Sequence, residues 1–217
     1  MPSQRAAVTP ALLSWARRVA GFSTDQAARK AGTSEARLAE WEAGEGQPTL
    51  RQLRLLSKAY RRPTAFFYRS ETPPEPPGMP DFRLVQEGAL DGGDSPALRY
   101  EIRRARIRRE TALEITALLG HEPLAVDLAG RREEGPEALG ERIRRFLGVG
   151  VATQFRWTDH YEALREWTRA AERNGVLAFQ FSNVEVSEAR GFSFSEHPLS
   201  AVAPMSTPQA TTSGGGR

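Results

Sequence analysis

The chain has 217 residues, with 30 basic and 27 acidic side chains and no cysteine. This length suits one medium domain or two small ones, and the lack of cysteine excludes disulfides, thiolate metal sites and cysteine nucleophiles. No apolar run reaches the roughly 18–20 residues of a membrane span, and the N-terminus lacks the apolar segment of a signal peptide, so we expect a cytoplasmic protein.

Positive charge is concentrated near the N-terminus, where residues 1–62 carry 11 basic and 5 acidic groups. Such an excess favours a polyanionic partner for this part of the chain, although the same charge can serve solubility alone. Lys30 and Lys58 are the only lysines, so arginine is enriched along the whole chain. A single arginine is therefore a weak indication of a phosphate contact.

Residues 9–69 are predicted to form short helices that are separated by brief turns. Thr9 before Pro10, Ser23, Ser34 and Pro48-Thr49 are favourable helix starts, and glycines follow the first three helices. The residues Phe66 to Tyr68 are expected to form a last turn that closes the bundle. The candidate core positions at helical spacing include Leu12, Leu13, Ala16, Ala27, Ala28, Ala31, Leu38, Trp41, Leu53 and Leu56.

A proline-rich stretch follows, in which residues 71–80 contain five prolines. Proline lacks an N–H and restricts the residue before it, so this stretch cannot be a helix or a central strand. We therefore predict a linker over residues 71–96, between an N-terminal domain over 1–70 and a second domain over 97–205.

The second domain is predicted to combine helices with about three strands. The helices are expected over Pro96–Leu119, Pro136–Leu147 and Thr158–Asn174, with Leu119 and Tyr161 among their inward positions. The strands are expected over 176–181, 191–195 and 199–203, and residues 206–217 form a disordered tail by composition. Six arginines lie between positions 99 and 109. They indicate a solvated helix face or, as the second alternative, a stripe that binds nucleic acid. The fold class is thus mainly α, with a five-helix bundle, a Pro-rich linker and a small partial α+β domain.

The spacing within residues 21–50 resembles the XRE family, the Cro and phage-repressor type of helix-turn-helix domain. The matching positions are Gly21-x-Ser23, Ala28, Gly32, Ser34, Glu42-x-Gly44 and Pro48-x-Leu50. The resemblance implies that the third helix enters the DNA major groove. It places Glu35, Ala36, Arg37 and Glu40 against the bases, with Arg37 and Glu35 as the principal readers. It also places Ser34 at the interface, assigns Arg18, Thr24 and Arg51 to the DNA backbone, and pairs Arg17 with Glu42 as a structural ion pair.

The same segment departs from this family in its charge. Residues 21–50 carry three basic and five acidic groups, with Thr24 where the family usually has glutamine and Glu45 where a basic residue is frequent. Carboxylates repel phosphate, so we expect modest affinity for duplex DNA. Glu35 or Glu40 can still accept a hydrogen bond from a cytosine amino group. The alternative is a degenerate helix-turn-helix that serves as a protein-interaction module.

The remainder of the chain resembles the ImmA/IrrE family of metallopeptidase-like proteins over roughly residues 66–203. The resemblance rests on the segment from Pro73 to Arg83, on Tyr-Glu-Ala-Leu-Arg at 161–165, on the predicted strand from Val176, and on Glu-Ala-Arg-Gly-Phe-Ser at 188–193. In that family an H-E-x-x-H helix holds zinc with two histidines and uses the glutamate as general base.

This sequence has no H-E-x-x-H motif. Its one His-Glu dipeptide, His121-Glu122, is followed by Pro123 and has Ala125 at the second ligand position. We therefore expect no catalytic residue, no metal and no cofactor, and we interpret the chain as truncated before the family's active site. A zinc endopeptidase that acts on a repressor remains the enzymatic alternative.

The combined interpretation is a sequence-specific DNA-binding regulator of transcription that is not an enzyme. Duplex DNA is the expected partner, and a homodimer is expected because related domains read paired half-sites. A repressor or a sibling protein is a further candidate partner. The C-terminal half is expected to be marginally stable, because its sheet would lack a covering helix.

Overall fold

The computed structural model describes residues 4–74, 81–84, 94–124, 126, 128 and 134–206. Within these residues the chain is mainly helical, with eight α-helices, one 3-10 helix and four strands, which confirms the predicted fold class. The chain forms two compact units. The first takes in the described residues 4–74 and 94–101, and the second takes in 81–84 and the described residues from Ile102 onward.

The first unit is a bundle of four α-helices that is closed by a 3-10 helix. Two of its helices begin with a capping box. The Ser23 and Thr49 side chains each accept a hydrogen bond from the N–H three residues on, and the Gln26 and Gln52 side chains accept one from the N–H of Ser23 and Thr49. The elements are α1 (Pro10–Ala20), α2 (Thr24–Ala31), α3 (Glu35–Ala43), α4 (Leu50–Tyr60) and the 3-10 helix (Thr64–Tyr68).

One apolar core holds this bundle together. The predicted inward positions are buried, and aromatic rings extend the core toward the 3-10 helix, where Trp15 and Phe66 lie 5.6 Å apart between ring centroids. Tyr68 was expected to help close the bundle, but its side chain is exposed because it follows the last residue whose ring points inward, Phe67.

The segment before α1 pairs with the segment before α4. The Ala6 N–H donates to Pro48 O at 2.9 Å, and the Leu50 N–H donates to Gln4 O at 3.0 Å. This pairing joins positions more than forty residues apart, and no local pattern in the sequence predicts it.

The second unit contains four helices. α5 (Pro96–Leu118) begins in the first unit and belongs to the second from Ile102; it is followed by α6 (Pro136–Leu147), α7 (Val151–Gln154) and α8 (His160–Arg173). The residue before α8, Asp159, caps the helix, since its carboxylate accepts a hydrogen bond from the Glu162 N–H at 2.7 Å. This bond lowers the pKa of Asp159, since it favours the ionised form.

A four-stranded sheet completes the second unit. Its order is β1-β3-β4-β2, with β1 (Asp81–Leu84) and β4 (Ala201–Pro204) antiparallel to β3 (Ala189–Phe194), and β2 (Leu177–Ala178) parallel to β4. Phe192, Phe194, Ala201 and Ala203 form one buried face, and α8 packs against β2.

The structure corrects several sequence-based expectations. The linker predicted over 71–96 contains a strand, β1, because long-range pairing with β3 decides its conformation. The strand predicted over 176–181 is reduced to Leu177–Ala178, with a single further bridge from Phe181 to Met205. Leu119 and Tyr161, both predicted to point inward, are exposed. Ser206 donates its N–H to Phe181 O, and the rest of the predicted tail lies outside the described residues, as do most of the predicted linker and Ala125.

Candidate nucleic-acid interface

The third helix of the bundle is held by one face and open on the other. Leu38 and Trp41 are buried in the core, where α3 packs against α1 and α2. The residues on its other side are exposed: Ser34, Glu35, Ala36, Arg37 and Ala39. Because these residues come from the first two turns, the N-terminal half of α3 forms the outward surface.

A short turn between α2 and α3 fixes the position of this surface. The small residues Ala27, Ala28 and Ala31 allow α2 to approach α3 and α4 closely. Gly32 then adopts a left-handed conformation with φ of 64°, which residues without a Cβ adopt at little cost. The Ser34 side chain begins α3 by accepting a hydrogen bond from the Arg37 N–H at 3.3 Å.

The predicted pair of Arg17 and Glu42 forms in the structure as a two-pronged ion pair. Arg17 Nε and Nη2 donate to the two Glu42 carboxylate oxygens, each at 2.8 Å, and Nη1 donates to Phe22 O at 3.2 Å. Both side chains are largely buried. The hydrogen bond that Arg17 donates to Glu42 raises the pKa of Arg17 against the opposing effect of burial, so this pair ties α1 to the end of α3.

Two of the predicted base-facing residues bind each other. Arg37 Nη1 donates to Glu40 Oε2 at 2.9 Å, and both side chains are well exposed. One of the two basic groups in the last turn of α2 is similarly engaged, since Arg29 pairs with Asp25. The outward surface of α3 therefore carries its single cation in a neutral pair, with Glu35 alongside.

The remaining predicted contacts lie on the other helices of the bundle. Arg18 is exposed at the end of α1, Thr24 is half-buried at the first position of α2, and Arg51 is exposed in the first turn of α4. An open groove joins the start of α4 to the turn after α2, and it is lined by Gln4, Gly32, Thr49, Arg51, Gln52 and neighbouring residues.

Gln4 and Gln52 are polar residues of this groove that the sequence interpretation missed. The capping box of α4, Thr49 followed three residues later by Gln52, could have drawn attention to Gln52. No sequence signal identifies Gln4, because its place depends on the pairing of the N-terminal segment with residues 47–50.

Residues 13–67 match the helix-turn-helix family. The match covers α1 from Leu13, all of α2, α3 and α4, and the 3-10 helix to Phe67. No curated protein matches the chain. Since the family match ends at residue 67, the resemblance of later residues to ImmA/IrrE proteins stays a prediction.

The arginines of α5 form only in part the solvated face that their spacing suggested, since Arg104 and Arg108 are exposed whereas Arg106 and Arg109 contact other parts of the second unit. Arg109 is buried and donates to Leu199 O at 2.5 Å and to Glu196 O at 2.9 Å. Arg106 pairs with the Glu196 carboxylate at 3.0 Å and lies over the Phe194 ring. These two arginines instead attach the segment before β4 to the helix.

Neither a metal cluster nor a membrane-spanning helix is found in the part of the chain that the structure describes. No three side chains among its histidines, aspartates and glutamates come together as a metal site would require. None of its helices combines the length and the apolar character that crossing a bilayer demands.

Proposed function

We propose that the helix-turn-helix unit binds duplex DNA and that the protein regulates transcription by reading a specific sequence. The observation that carries this proposal is the helix-turn-helix family match over residues 13–67, together with the exposed N-terminal half of α3. A helix held in this way, with its outer side chains open, has the form of a recognition helix. A regulator of transcription meets its DNA inside the cell, so the proposal includes a cytoplasmic location.

Arg37 and Glu35 are the proposed base readers. An arginine can donate two hydrogen bonds to guanine O6 and N7, and a glutamate can accept one from the cytosine amino group. Arg37 must leave Glu40 to reach a guanine, but an exposed ion pair of this kind contributes only about 0.2–1 kcal/mol. The ion pair therefore does not prevent Arg37 from reading a base, but it lowers the net binding free energy that this contact contributes.

The proposed contacts to phosphate are Arg18, Thr24 and Arg51. The residues proposed to lie beside the bases are Ser34, Ala36 and Glu40. Two cationic phosphate contacts per unit predict a shallow dependence on salt, with a slope of log K on log salt of about −2 for one unit and about −4 for two. Such a slope fits a modest affinity at physiological ionic strength.

The test begins with a selection of duplexes from a random library by the full chain, followed by anisotropy titrations at two salt concentrations. Arg37→Ala is expected to weaken binding to the selected site by about 1–3 kcal/mol, or about fivefold to more than a hundredfold, and to relax specificity at one position. Arg69→Ala, an exposed arginine past the 3-10 helix, serves as the matched control and should bind like the wild type. Equal losses for both variants, or no enrichment of any sequence, would contradict the proposal.

A protein-interaction module is the second candidate function, and the neutralised surface of α3 is the observation that favours it. With Arg37 held by Glu40, the outward surface lacks an uncompensated cation, whereas Glu35 keeps its negative charge. A repressor or sibling protein with a basic surface would suit it. Failure of the full chain to bind any duplex at low salt would favour this candidate, since low salt maximises phosphate attraction.

A further inference from the structure

The exposed side of α5 carries large apolar residues that nothing among the described residues covers. Ile107 and Ile115 are 53% and 51% exposed, and Leu118 is 85% exposed. On the opposite side of the same helix Ile102, Ala105 and Arg109 are buried. The helix therefore has one face committed to its own unit and one face open.

The open face follows the spacing of a helix that packs lengthwise against another helix. Five exposed residues recur along it at alternating intervals of three and four positions. They are Arg104, Ile107, Thr111, Glu114 and Leu118. This spacing keeps side chains along one seam. We call these five residues, with Arg108, Glu110 and Ile115 beside them, the α5 stripe.

Charge is divided along the α5 stripe. Its N-terminal half carries Arg104 and Arg108, whereas its C-terminal half carries Glu110 and Glu114. A second α5 laid antiparallel would place the basic half of each helix on the acidic half of the other. A parallel helix would instead oppose like charges, which is unfavourable. The stripe is thus complementary to itself in one orientation.

We propose that the α5 stripe is the surface through which two copies of this chain form an antiparallel, two-fold symmetric dimer. A two-fold interface uses the same patch on both partners, and a self-complementary stripe provides such a patch. Ile107, Ile115 and Leu118 supply the apolar contact, and the arginine and glutamate halves set the direction. Such a dimer carries two helix-turn-helix units, the number that paired half-sites require.

The dimer is tested on the full chain without DNA, so its outcome is independent of the proposed DNA binding. Sedimentation velocity at physiological salt is expected to show a dimer for the wild type. Leu118→Lys should shift it to monomer, and because Leu118 is largely exposed the substitution should leave the thermal unfolding temperature unchanged. Glu137→Arg, an exposed charge reversal in α6, is the control and should remain dimeric.

A charge-swap experiment tests the direction of packing. One chain carries Glu110→Arg with Glu114→Arg, and another carries Arg104→Glu with Arg108→Glu; circular dichroism checks the fold of each, since Arg108 also lies over the Phe179 ring. Each chain alone should be monomeric, and their mixture should form a heterodimer. A monomeric wild type, a dimer that persists in every variant, or a mixture that stays monomeric would each overturn the proposal.

Discussion

At the scale of single residues, the pair formed by Arg37 and Glu40 controls the character of the proposed interface. Its two side chains lie one turn apart on α3, and both are open to solvent. Arg37 can therefore move between Glu40 and a base at little cost. An exposed pair of this kind leaves the proposed recognition helix able to present a cation to DNA despite its two outward glutamates.

Glu40→Gln is expected to strengthen binding to the selected duplex by up to about fivefold, the equivalent of the roughly 1 kcal/mol that an exposed ion pair contributes. Anisotropy titration measures this change. Glu45→Gln removes an equal charge from an exposed residue that follows α3 and should give a smaller gain. A weaker complex for Glu40→Gln would mean that Glu40 itself reads a base.

Tyr60 links the stability of the bundle to pH. Its side chain is buried, and burial raises the pKa of its hydroxyl above the ordinary value of 10.0, with a further contribution from the Glu42 carboxylate. Because the folded protein keeps this tyrosine neutral, its contribution is complete below pH 10. As the pH rises further, the unfolded chain ionises first and stability falls.

The free energy of unfolding should therefore decline more steeply for the wild type than for Tyr60→Phe above about pH 10, with a difference in slope of up to about 1.4 kcal/mol per pH unit. Urea denaturation at several pH values measures both slopes. Parallel slopes for the two proteins would show that Tyr60 ionises equally in the folded and unfolded states.

At the scale of secondary-structure elements, the small residues of α2 set the geometry of the helix-turn-helix. Ala27, Ala28 and Ala31 are almost completely buried where α2 packs against α3 and α4. A larger side chain here has no space unless the helices separate. Since α3 is held on this side, separation would also move the outward surface of α3.

Ala28→Leu is expected to destabilise the bundle by about 1–3 kcal/mol through overpacking and to lower DNA affinity even though Ala28 does not reach the surface. Ala39→Leu makes the same substitution at an exposed position of α3 and should leave the unfolding free energy nearly unchanged. Thermal and urea unfolding of both variants provide the comparison. An unchanged stability for Ala28→Leu would indicate that the helices rearrange without cost.

At the scale of the whole molecule, the two units differ in how much apolar surface they bury. The bundle has one extended core, whereas α6 and α7 contain no buried residue and α8 contains one, Ala170. Helices with few buried contacts open at low free energy. This difference gives a structural reason for the expected marginal stability of the second unit.

Limited proteolysis of the full chain should therefore cut first within residues 134–174 and leave residues 9–69 intact. Hydrogen exchange should show the same order, with the slowest amides in α1 and α4. Mass spectrometry identifies the fragments and the protected peptides. Equal resistance along both units would contradict this expectation.

The sequence alone determined the bundle and the position of its proposed recognition helix, α3, because these depend on local signals. Ser23, Ser34 and Thr49 cap helices through residues only three positions away, and helical spacing identifies Leu38 and Trp41 as the anchors of α3. Tertiary structure decided the rest. Contacts between distant residues produce three features that the sequence did not predict. They are the strand β1 within a predicted linker, the position of Gln4 beside the start of α4, and the burial of Arg109. Such contacts have no sequence period, so only the folded chain shows which side chains they bring together.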